Sequence, residues 1–166
     1  MLRRLLVIAV ALVATAAFPV PAQAAATLVT CVGQSTQTYA PPLTMSTQTT
    51  DIDADVTYSS CNGGPVTAGT AAVATTAQAS CLLSGSSTVT QQITWNSGAT
   101  STTTGDTTAT RTLGQTIVAT QGTVTAGLFA GARFAQTVVF VNPDPLACLT
   151  TGVGTVSGPL TITFIG

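Results

Sequence analysis

Asp51, Asp53 and Asp55 stand at alternate positions and form the one concentrated charge beyond residue 24. Oxygen ligands with this spacing open a calcium-binding EF-hand loop, which also needs a glycine at its sixth position and a glutamate at its twelfth. Val56 and Asn62 stand there instead, so an EF-hand is excluded. The same spacing fits a strand whose aspartates face water while Ile52, Ala54 and Val56 pack inward. The solvated strand is preferred. Asp51, Asp53 and Asp55 are kept as a weak candidate site for a loosely held cation.

Catalysis by proton transfer needs a group that titrates near the working pH. The chain has no histidine, its only cations are arginines, and its five acids are all aspartates. Ser-His-Asp and Cys-His machinery therefore cannot be assembled. Paired aspartates can run glycoside hydrolysis or an aspartic-protease dyad. No Asp-Thr-Gly or Asp-Ser-Gly occurs, however, and Gly105-Asp106-Thr107 has the reverse order. No catalytic residue, no cofactor and no enzymatic activity are expected; an Asp-based hydrolase ranks last among the functional readings.

Cys31, Cys61, Cys81 and Cys148 have no C-x-x-C spacing and no histidine with which to complete a metal site. In an exported chain four cysteines point to two disulfides. Three pairings are possible. The sequential one, Cys31–Cys61 with Cys81–Cys148, is the simplest topology and is favoured; each bridge would contribute roughly 3–4 kcal/mol on the loop-entropy account. The aromatic candidates for contact with a ligand or surface are Trp95, Phe129, Phe134, Tyr39 and Tyr58. Trp95 and Phe129 each have a plainer reading, Trp95 as a core residue beside Ile93 and Phe129 as a loop anchor between Gly127 and Gly131.

The elements that would position these residues begin after an export signal. Arg3 and Arg4 precede an apolar run from Leu5 to Ala17, too short for a bilayer span of about 20 residues. Pro19 and Pro21 end it, and Ala22-Gln23-Ala24 is a small-x-small cleavage site. The expected division is a signal peptide over 1–24 and a single domain over 25–166, secreted to the extracellular side. In that domain only Arg111 and Arg133 oppose the five aspartates, a net side-chain charge of −3. Binding to nucleic acid needs clustered Lys or Arg, so it is excluded as a partner. No transmembrane segment is expected after residue 24. A cell-surface, glycan or small apolar partner remains open.

Threonine fills 34 of the 142 positions after residue 24. Its branched β-carbon disfavours helix and suits a pleated strand. Strands are predicted over 26–32, 35–40, 46–58, 66–79, 87–95, 99–104, 107–113, 116–126, 133–141 and 154–165. Leu160, Ile162 and Phe164 alternate with threonines, as do Val89, Ile93 and Trp95. The run 137–141 is apolar on both faces, as in a strand covered on each side. Asn96-Ser97-Gly98 reads as a hairpin turn, and Asn62-Gly63-Gly64-Pro65 and Gly105-Asp106 as further turns. Many short strands with frequent turns predict an all-β immunoglobulin-like or Greek-key β-sandwich with two disulfides.

Several segments together carry a resemblance: Leu28-Val29-Thr30-Cys31-Val32-Gly33, Tyr39-Ala40-Pro41-Pro42-Leu43-Thr44, Ile93-Thr94-Trp95-Asn96-Ser97-Gly98, Gly127-Leu128-Phe129-Ala130-Gly131 and Pro145-Leu146-Ala147-Cys148-Leu149. With the Arg-Arg signal they look like a group of small secreted actinobacterial proteins of unknown function. The resemblance implies export and a β-sandwich, and adds no activity. In composition the chain is also similar to enediyne-antibiotic apoproteins, which are secreted sandwiches with an apolar cleft. The leading expectation is a non-enzymatic extracellular or cell-envelope module for binding or structure. The alternative is a carrier of a small apolar ligand in a cleft lined by Phe129, Phe134 and Trp95.

Overall fold

Alternation of threonine or serine with valine, isoleucine and aromatic residues gives each strand one wet face and one dry face. The computed structural model describes residues 28–82 and 85–166. The signal peptide over 1–24 and its cleavage site lie outside the described residues. Eight strands run in order: β1 (Leu28–Leu43), β2 (Gln48–Asn62), β3 (Gly69–Ala79), β4 (Ser86–Trp95), β5 (Thr100–Thr112), β6 (Gln115–Gly127), β7 (Arg133–Val141) and β8 (Val153–Ile165). One short helix, α1 (Pro145–Leu149), precedes β8, with Asp144 capping it by accepting from the Leu146 N–H at 2.9 Å.

Every strand pairs antiparallel with its neighbours in sequence, and β1 also pairs with β8, Leu28 opposite Ile165. The sheet is therefore a closed up-and-down barrel. This corrects the predicted sandwich: among the described residues there is no second sheet, and one curved layer encloses the core. The correction has a local cause. Gly105, read as a turn, lies inside β5 directly opposite Gly122 of β6. A β-carbon on Gly122 would collide with the Thr104 carbonyl, and one on Gly105 would lie 2.9 Å from the Phe134 ring. Glycines that let strands approach closely, with an aromatic ring over the gap, are how a sheet bends far enough to close. Likewise the predicted strands 26–32 and 35–40 fall, over the described residues from Leu28 on, in one strand, continuous through a register shift at Val32/Gly33.

The outer face of β7 also differs from expectation. Val138 and Phe140 point inward and are buried, but Val139 is only half-buried and Val141 is exposed, because no layer covers that side. The hairpin at Asn96-Ser97-Gly98 is present, with the Gly98 N–H donating to the Trp95 carbonyl at 2.9 Å and Gly98 at φ +81°. Both disulfides form in the sequential pairing, Cys31–Cys61 and Cys81–Cys148.

The two ends of the barrel differ. At one end, Tyr58, Trp95, Phe129, Phe134 and Phe164 pack on one another with ring centroids 5.2–6.4 Å apart. Phe164 and Trp95 are almost fully buried, and the Cys31–Cys61 bridge joins β1 and β2 at the same end. The other end carries α1 and the Cys81–Cys148 bridge, which ties the β3–β4 connection to that helix.

Candidate functional site

An eight-stranded barrel has an interior that side chains just fill or that holds one small ligand. Here it does both, at different heights. Above the aromatic plug lies a belt of buried polar groups. The Tyr58 hydroxyl donates to Gln136 Oε1 at 2.9 Å and accepts from Gln91 Nε2 at 2.8 Å. Gln91 is 4% exposed, and its carbonyl accepts from Thr103. Buried polar groups are tolerable only when partnered in this way. Burial pushes the Tyr58 phenol well above its ordinary range, against the hydrogen bond from Gln91, so it stays protonated.

Above the belt the side chains shorten to Ala54, Val73, Val89, Ala109, Val118 and Val138, and a cavity of about 160 Å³ remains. It extends to the α1 end of the barrel, where Leu43, Tyr39, Arg111 and Pro143 line it. The β3–β4 ladder contributes to the opening. It holds only from Gly69↔Trp95 to Ala72↔Gln92, and both lips of the split above that point line the cavity.

Arg111 stands at the mouth because the inward row of β5 runs Thr107, Ala109, Arg111. Its Nη1 donates to the Cys81 carbonyl, and its Nη2 to the Ser80 carbonyl at 3.4 Å. Its Nε is buried without a hydrogen-bond partner. Tyr39 faces the same space and donates to Gln37 Oε1 at 2.9 Å. Burial raises the Tyr39 phenol to about 12, partly offset by the Arg111 charge; burial also lowers Arg111, partly offset by Tyr39.

The candidates from sequence fall in three places. Trp95, Phe129, Phe134 and Tyr58 form or adjoin the closed end. The cleft expected among Phe129, Phe134 and Trp95 is instead a packed plug, and none of the three lines the cavity. The Trp95 indole N–H donates to Ser101 Oγ at 2.8 Å, which leaves it no polar handle for solvent. Phe129 is a loop anchor, held at φ +65° and stacked on Phe164. Asp51, Asp53 and Asp55 are exposed on the outer face of β2, between the inward-facing Ile52, Ala54 and Val56. Asp51 Oδ1 accepts from Thr76 at 2.7 Å. Among the described residues no three His, Cys, Asp or Glu are placed to share a metal ion. Only Tyr39 was both anticipated and placed at the cavity.

Arg111 was missed, and so were Gln91 and Gln136. A signal existed. In a chain nearly free of cations, an arginine at an inward position of an alternating strand is conspicuous.

The cavity holds no carboxylate, imidazole or amine among the described residues, so its reactive inventory is hydroxyls, amides, the raised phenol of Tyr39 and one guanidinium. Such a set can bind and orient. It offers no base near neutral pH. Outside, the rows are polar: Thr49, Asp51, Asp53, Asp55 and Thr57 on β2, and Thr88, Thr90, Gln92 and Thr94 on β4, are all exposed. A membrane-spanning barrel needs an apolar outer band about 25 Å tall, and these rows do not supply one. No helix among the described residues is long and apolar enough to cross a membrane. Large exposed apolar residues gather at the cavity end instead, with Leu82, Leu113, Leu146 and Leu149 each more than 60% exposed. No known family, curated protein or solved structure matches the chain.

Proposed function

We propose that this chain is an exported, non-enzymatic binding protein that carries a small, largely apolar molecule in the open half of its barrel. The observation that carries this reading is the cavity of about 160 Å³, walled by valine and alanine above a hydrogen-bonded floor. Pockets for drug-sized ligands run from about 300 to 1,000 Å³, whereas an apolar cavity of about 150 Å³ accepts benzene. The ligand is therefore small, about one ring or a six-carbon chain. Export is supported by the n-region, apolar run and cleavage site of residues 1–24 and by two disulfides.

Native mass spectrometry of protein recovered from culture medium, before and after reduction, tests export. It should show a chain beginning at Ala25 with two bridges; an uncut chain or free thiols would overturn that part. Titration with 1-hexanol, followed by amide NMR shifts, tests the cavity. Shifts should concentrate at Ala54, Val89, Val118 and Val138. A second reading, a module that presents a surface, is supported by the exposed leucines at the cavity end. It predicts no response at those four residues.

A further inference from the structure

Resting on the cavity reading, we propose that the ligand is a small monocarboxylic acid whose carboxylate is held by Arg111 at the mouth while its tail fills the apolar space below. Only two arginines follow residue 24, and one of them points into the barrel. A partly desolvated guanidinium gains from a carboxylate partner, because its charge is less well solvated there than in open water. Here all five aspartates are on the outer surface, and none pairs with Arg111 among the described residues.

The arginine is nonetheless held in place. The Cys81 and Ser80 carbonyls accept from Nη1 and Nη2, and the first belongs to a residue fixed by the Cys81–Cys148 bridge. Two backbone carbonyls orient the fork without neutralising it, and Nε remains buried with its hydrogen unshared. A carboxylate takes two parallel N–H bonds from such a fork, which gives direction as well as charge. The Tyr39 hydroxyl lines the same cavity, but its one proton is given to Gln37 Oε1, so Arg111 alone supplies the donors for the carboxylate. The wall below is mainly apolar, with Val56, Val89, Val118, Val138 and Phe140, and the hydroxyls of Thr107 and Thr120 that interrupt it bond to each other at 2.8 Å. One cation at the entrance and hydrocarbon beneath it match a molecule with an anionic head and a short apolar tail.

Hexanoate and 1-hexanol share a tail and differ at the head, so calorimetric titration of both separates the two claims. The wild-type protein should bind hexanoate at least about tenfold more tightly than hexanol, the minimum for a charge-assisted pair over a neutral hydroxyl. Arg111→Gln should erase that preference and leave hexanol affinity unchanged; Arg133→Gln, at an exposed cation, should keep it. Equal binding of the two probes by the wild type overturns the carboxylate assignment and leaves the cavity reading standing. Failure of both probes overturns the cavity reading itself. If Arg111→Gln does not fold, the Arg111 Nε–H resonance of the wild type decides. A downfield shift with hexanoate and none with hexanol supports the pairing, and no shift with either rejects it.

Discussion

Filling the cavity should make the protein more stable and less able to bind. Ala54 lies on the inner face of β2, between Gln37 of β1 and Val73 of β3, and lines the open half of the barrel. Ala54→Ile adds three carbons to a side chain already facing free space, and its branched β-carbon suits a strand. At about 0.8 kcal/mol per buried methylene the ceiling is about 2.4 kcal/mol. A dry cavity of this volume would forgo about 4 kcal/mol at about 24 cal/mol per Å³. The mouth admits water, which lowers both figures, so a gain of about 1–2 kcal/mol is expected. Urea unfolding read by Trp95, the only tryptophan and 2% exposed, reports it directly. With a slope of about 1–3 kcal/mol per molar, the midpoint should rise by roughly 0.3–2 M. The same variant should lose at least tenfold in hexanol affinity. Destabilisation by Ala54→Ile would mean that the space is already filled. A gain in stability with binding unchanged would mean that the ligand sits elsewhere.

Replacing Cys81 and Cys148 by serine opens a loop of 67 residues, and replacing Cys31 and Cys61 one of 30; loop entropy puts the losses at about 4.4 and about 3.6 kcal/mol. The urea midpoints should fall in that order, and the reverse order would show that burial at the closed end outweighs loop length. Gly122→Ala should cost at least about 2 kcal/mol, since its β-carbon meets the Thr104 backbone rather than a side chain that can move; an unchanged midpoint would refute the account of barrel curvature. The two tyrosines should ionise late, Tyr39 near 12 and Tyr58 later still. Because the folded state holds the phenolic protons more tightly than the unfolded chain, whose tyrosines titrate near 10, this contribution is intact below about pH 10 and is lost as pH rises toward 12. Absorbance of tyrosinate at 295 nm in folded protein should therefore stay low at pH 10.5, and a full rise there would refute it.

The strands were legible because their inward rows are written in strongly apolar residues, as in Leu160, Ile162 and Phe164 or Ile93 and Trp95. The hairpin at Asn96–Gly98 was legible for an equally local reason, and the disulfide pairing because the sequential topology is the simplest of three. Closure was not. A glycine that ends a strand and a glycine that bends one look alike in sequence, and only the partner across the sheet distinguishes them. Gly105 is a bend because Gly122 faces it and Phe134 covers it. The interior polar groups were hidden in a different way. Threonine serves on both faces of this barrel: Thr50 and Thr103 are fully buried while Thr90 and Thr94 are exposed. Its alternation therefore gives no direction, and Gln91, Gln136 and Arg111 drew no reading among many polar neighbours.

The placement of charge separates the two halves of the structure more sharply than hydrophobicity does. Carboxylates repel one another and solvate well, and all five are on the outside, where three of them share one strand face. Arg111 instead lies inside the rim, braced by carbonyls that lend it position and only partial charge. Partial desolvation of an unmatched guanidinium works against folding, while its hydrogen bonds to two carbonyls work for it. Its charge is matched only when an anion arrives. On the carboxylate reading, a variant such as Arg111→Met should unfold at higher urea than the wild type without ligand and gain nothing from hexanoate. Wild-type protein should show the opposite pair of responses. If Arg111→Met is less stable than the wild type in the absence of ligand, the guanidinium is a brace for the Ser80–Cys81 segment and its charge is incidental.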